Sequence, residues 1–109
     1  MGKVTYTLRY LPLFYSDLEE HVLYIAENLH NKDAANELIN EVEAAILERL
    51  PNAESFEAYF SLKNRKNLYY RIYVKNFTIY YVVIPVGKEK KIMEVRRILH
   101  NLQERDRYI

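Results

Sequence analysis

The spacing of apolar residues changes along this chain, and that change restricts the fold more than any other feature. Val4, Tyr6, Leu8 and Tyr10 alternate with Thr5, Thr7 and Arg9, the period of a half-buried strand, and Pro12 stops it. Phe14, Leu18, Val22, Ile25 and Leu29 then recur at spacings of three and four, leaving Asp17, Glu20 and Glu27 to face water on an amphipathic helix. Ser16-Asp17-Leu18-Glu19 fits a capping box, so this helix is expected to start there and to end near Asn31. Asp33 is a suitable cap for a second helix with the stripe Ala34, Leu38, Val42, Ala45, Ile46 and Leu50, ended by Pro51. Residues 68–74 and 77–84 are instead dense in β-branched and aromatic side chains. They are joined through Lys75-Asn76, where Asn tolerates the positive φ of a tight turn. Residues 85–90 mark a further turn and 91–100 a further strand, while 54–67 fits either a loop or a short edge strand.

The resulting order, β-α-α-β-β-β, predicts an α+β domain. Two helices in a short-looped hairpin should lay their shared apolar face on a small, mainly antiparallel sheet. The 109 residues, half of them hydrophobic, suffice for one core, so residues 1–109 are expected to form a single domain. Charge follows the same division. Through Glu54 there are four Lys/Arg against ten Asp/Glu, and from Ser55 onward twelve against five. The basic half also holds seven of the eleven tyrosines, and a basic, aromatic sheet suits a polyanion with bases to stack on.

The absence of cysteine removes disulfides, thiolate metal sites and a cysteine nucleophile. Three scattered histidines make no metal-ligand spacing, so neither metal nor cofactor is expected. The N-terminal residues lack a signal-peptide run, and no stretch approaches the roughly 18 apolar residues of a membrane span. A cytoplasmic protein without membrane contact is the expectation.

The order of these segments resembles the RelE/ParE family of bacterial toxins. It is carried by the strand, the helical hairpin, Pro51, Tyr70-Arg71-Ile72-Tyr73-Val74, Phe77-Thr78-Ile79-Tyr80-Tyr81-Val82-Val83 and Val95-Arg96-Arg97-Ile98-Leu99-His100. The resemblance implies the toxin component of a type II toxin–antitoxin, or plasmid stabilisation, system, blocked by a cognate antitoxin protein. RelE-like members are metal-independent endoribonucleases that cut mRNA on the ribosome and arrest translation. ParE-like members inhibit DNA gyrase without catalysis, and some relatives have no demonstrated activity.

On the nuclease reading, cations stabilise the phosphorane and a histidine moves protons. Arg71, Arg97 and His100 then become the candidate catalytic residues, with Lys63, Arg65, Tyr73, Tyr81, Arg96 and Tyr108 as candidate substrate contacts. Arg96 and Arg97 are adjacent, so on a regular strand only one of them reaches a given face unless a bulge intervenes. The alternative for Arg97 is an ion pair with a helix acid such as Glu43 or Glu48. Two positions depart from the RelE-like pattern, Thr78 and Asn101 standing where an arginine is expected.

Overall fold

A computed structural model describes residues 3–60, 66–103 and 105–109, the side chains of Phe60, Arg105 and Asp106 excepted. Strand β1 (Thr5–Tyr10) leads into helix α1 (Pro12–Leu23), a π-helical turn (Tyr24–Asn28) and helix α2 (Lys32–Arg49). A single 3-10 turn (Leu50–Asn52) then precedes strands β2 (Ala58–Phe60), β3 (Leu68–Val74), β4 (Phe77–Gly87) and β5 (Lys90–His100), and a short helix α3 (Arg105–Tyr108) follows. The five strands form one sheet in the order β1-β5-β4-β3-β2, antiparallel except for the parallel pair β1 and β5. Of the two alternatives for 54–67, the short edge strand is present, as β2.

The helical hairpin covers one face of this sheet. Phe14 of α1 and Leu38, Val42 and Ile46 of α2 pack with Tyr70, Ile72, Val74, Phe77, Ile79, Tyr81, Met93, Val95 and Ile98. Alternation along the strands sends the intervening residues to the other face, called here the open face. A second cluster, Tyr69, Tyr80, Val82 and Leu99 with Ile109, occupies it. Among the described residues no helix is long and apolar enough to cross a membrane.

Several local expectations are corrected. Helix α1 starts at Pro12, one turn before the expected capping box, because proline at the first helical position lacks only an N–H that would be unpaired anyway. Ser16 is therefore inside the helix, its hydroxyl donating to Pro12 O (3.3 Å). The regular helix ends at Leu23, and the π-helical turn that follows leaves Leu29 exposed rather than in the apolar stripe. Asn31, not Asp33, caps α2, its Oδ1 accepting from Ala34 N–H (3.0 Å), while Asp33 lies in the first turn where the helix dipole favours it. In the β3–β4 turn the positive φ falls on Lys75 (52°) rather than Asn76. Lys75 also reaches Glu37 and Glu41 of α2 at 3.2 and 3.6 Å, tying the hairpin tip to the helix. Strand β4 runs through Pro85 to Gly87, with its pairing irregular there, so the next reversal is at Lys88-Glu89.

Asp17 reverses expectation most sharply. It is 7% exposed instead of facing water. Strand β1 ends at Tyr10, opposite Val95, so the outer edge of β5 beyond Val95 has no strand beside it. Helix α1 takes over that role with side chains one turn apart: Asp17 Oδ2 accepts from Ile98 N–H (3.1 Å) and His21 Nε2 donates to Ile98 O (2.9 Å). Buried backbone groups that would otherwise be orphaned are thereby paired.

Candidate functional site

The open face is built around a row of three residues in lateral register, Arg71 on β3, Tyr80 on β4 and Arg97 on β5. Arg71 lies over the ring of Tyr59 at 4.5 Å. One residue further along β4 the pairing shifts: Tyr80 faces Arg97 but Tyr81 faces Val95, so Arg96 is the extra residue of a β-bulge. The bulge resolves the parity conflict of the two adjacent arginines, since both now stand on the open face.

Their guanidinium groups are not free for a ligand. Arg97 donates from Nε and Nη2 to the two carboxylate oxygens of Asp17 (2.7 and 2.6 Å) and from Nη1 to Tyr108 O (3.2 Å). Arg96 donates from Nε to Glu94 Oε1 (2.9 Å) and from Nη1 to the Tyr69 hydroxyl (3.1 Å). Arg9, from β1, donates through Nε and Nη2 to Glu94 Oε2, the Nε bond measuring 2.9 Å. Glu94 is 5% exposed. Burial pushes its carboxyl up, but the hydrogen bonds and charges of Arg9 and Arg96 outweigh that and hold it below its ordinary value. The Arg97 guanidinium is raised chiefly by its Asp17 hydrogen bond.

His100 stands on the opposite side of the sheet. It pairs with Phe77, whose ring belongs to the helix-side core, and the two rings meet edge-on at 5.3 Å. There His100 lines a recess with Tyr24, Ile25, Leu38 and Phe77. Its polar groups shape the turn after β5: Nδ1 accepts from Leu102 N–H (3.1 Å), and its own N–H donates to Gln103 Oε1 (2.6 Å). The expected grouping of Arg71, Arg97 and His100 is therefore not formed, because an even residue separation between Ile98 and His100 puts both on the helix side.

The remaining candidates divide. Tyr73 is 66% exposed and shares the strand side of Arg71, whereas Tyr81 is fully buried on the helix side. The Tyr81 hydroxyl donates to Ala53 O (2.7 Å) and accepts from Arg49 Nη1 (3.0 Å), so it is a core residue and not a stacking surface. Tyr108 is docked on the sheet, its ring 5.3 Å from the Arg97 guanidinium and its neighbour Ile109 buried among Tyr69, Tyr80, Val82 and Leu99. Lys63 and Arg65 lie outside the described residues. Thr78 and Asn101, the two positions lacking the RelE-like arginines, bond each other instead, Thr78 Oγ1 donating to Asn101 Oδ1 at 2.6 Å. Thr78 is 4% exposed, so a guanidinium at its position would have to bury its charge or leave the site.

Three residues that organise the face, Arg9, Asp17 and Glu94, escape notice in the sequence. The available signals are weak: Glu94 and Arg96 sit two apart on one strand, and Asp17 and His21 four apart on one helix. Among the described residues no group of three His, Asp or Glu side chains is placed to hold a metal ion.

Helical hairpin, five-stranded sheet and open face define a small toxin domain of the RelE/ParE-like fold. The family described as ParE toxin of type II toxin-antitoxin system, parDE, matches residues 8–105, and the chain belongs to it. No curated protein matches the chain. A cognate antitoxin as partner is consistent with that membership.

Proposed function

We propose that this toxin acts by contact with a protein target, DNA gyrase, and not by cutting messenger RNA. One observation carries the reading: the sheet itself stands between His100 and the arginines of the open face. Metal-independent RNA cleavage needs a proton-transfer group and phosphate-stabilising cations around one phosphate. Here the imidazole is behind the sheet, and Arg96 and Arg97 are held by Glu94 and Asp17. A contact inhibitor needs no such convergence; it needs a surface of defined shape, which a face locked by ion pairs supplies. The match to the ParE family by name points the same way.

Half-buried Arg71, stacked on Tyr59, and exposed Tyr73 on the same strand offer the kind of aromatic and guanidinium anchors on which protein contacts concentrate their energy. The test is purified toxin on gyrase-driven supercoiling, beside message integrity in a translating extract. Blocked supercoiling with intact messages is expected, and His100→Ala should leave inhibition unchanged. Cleaved messages, lost on His100→Ala, would overturn the reading.

A further inference from the structure

The open face gathers four arginines, Arg9, Arg71, Arg96 and Arg97, on one side of a small sheet, the arrangement that ordinarily makes a phosphate-binding surface. A guanidinium grips a phosphate best through a pair of parallel N–H groups. On two of these arginines such a pair is already committed, and on a third it is split between two partners. Arg97 presents Nε and Nη2 to Asp17, and Arg9 presents the same two groups to Glu94. Arg96 gives Nε to Glu94 and Nη1 to Tyr69, so neither of its forks keeps both donors free.

Asp17 has a structural role that explains its burial, since it also pairs the open edge of β5 through Ile98 N–H. Glu94 pairs no such edge. Its two oxygens serve Arg9 and Arg96, with the Glu94 side chain 6% exposed beside Arg96 at 18% and Arg9 at 49%. A carboxylate placed between two guanidiniums occupies the position that a phosphate would take.

We infer that Glu94 is a specificity determinant, an internal stand-in for phosphate that closes the arginine-rich face to nucleic acid and reserves it for a protein surface. The inference rests on the contact-inhibitor reading and adds the residue that enforces it. Replacing Glu94 with the neutral, similarly sized Gln removes the charge that competes with phosphate and leaves two arginines able to engage a backbone.

The experiment titrates wild type and Glu94→Gln with a fluorescently labelled oligouridylate strand between roughly 50 and 200 mM salt. Two released guanidiniums steepen the log–log salt dependence by about 1.4, from about 0.7 per phosphate contact on a single strand, and tighten binding about tenfold at the low-salt end. Unchanged slope and affinity in a variant that keeps its circular dichroism and cooperative melting would overturn the inference.

Arg9→Gln in the otherwise wild-type chain is the second arm, independent of how Glu94→Gln folds. Arg9 is half exposed, and its loss leaves Glu94 bonded to Arg96. A masked arginine contributes nothing to RNA binding, so the slope should not change. A fall of about 0.7 would show that Arg9 already contacts phosphate and would equally overturn the inference. Neither arm reads supercoiling or message cleavage, so its failure is distinct from failure of the contact-inhibitor reading.

Discussion

Single side chains decide what the open face can do. Asp17 accepts two bonds from Arg97 and one from Ile98 N–H, with the side chains of the ion pair 10% and 15% exposed. Removing one partner of such a pair leaves a poorly solvated charge behind, so Asp17→Ala should cost about 3–5 kcal/mol in urea unfolding. A loss below about 1 kcal/mol would mean that the pair is solvated as on an ordinary surface. Tyr81→Phe tests a different placement. The buried Ala53 carbonyl loses its donor and Arg49 an acceptor, so stability should fall by about 1–3 kcal/mol while inhibition of the target is unaffected. Lost inhibition at unchanged stability would return Tyr81 to the contact surface. Neither burial was legible in the sequence: a lone Asp between two helix apolar positions reads as solvated, and Tyr80 and Tyr81 look interchangeable until a core is assigned to one face.

At the level of elements, most of the architecture was legible because periodicity reports burial directly. Strands β3, β4 and β5 and the two helices follow from apolar spacing, and Pro51 ends the second helix near where a 3-10 turn replaces it. What was not legible depends on contacts between distant segments. The bulge at Arg96 comes from how β5 meets β4, and the partnership of Asp17 and His21 with Ile98 exists only because β1 stops at Tyr10. The bulge makes its own prediction. Deleting one of the two consecutive arginines yields the same sequence whichever is removed, and it restores regular pairing without turning Glu94, Val95, Ile98 or Leu99 to the wrong face. That variant should still unfold cooperatively on heating, whereas deleting Leu99 should not, because it swings His100 onto the open face. Equal loss of cooperativity in both would contradict the bulge assignment.

For the whole molecule, the charge division separates two roles: an acidic hairpin as backing and a basic sheet whose cations are largely tied to acids. The pH dependence of stability follows from those ties. Desolvation raises the carboxyls of Glu94 and Glu54, yet bonds from Arg9 and Arg96, and from Lys91 and Tyr6, bring both below the ordinary value of 4.5. A group lowered on folding contributes stability that is complete above the unfolded value and lost as pH falls through the folded one. The melting temperature should therefore drop as pH is lowered below about 4.5, less steeply in Glu94→Gln. At the other extreme, burial and the bond to Glu54 push the Tyr6 hydroxyl up to about 12, and burial raises Tyr10, Tyr70 and Tyr81. Unfolded tyrosines lose their protons near 10 while folded ones keep them, so stability should decline from about pH 10 toward 12. A flat melting curve across that range would show these hydroxyls to be solvated.

The separation of His100 from the arginines is tested most directly by supercoiling by DNA gyrase, with wild-type toxin and His100→Ala assayed side by side with message integrity. Both proteins should block supercoiling equally, and messages should stay intact. Messages cut by the wild type and spared by His100→Ala, with supercoiling untouched, would contradict that separation.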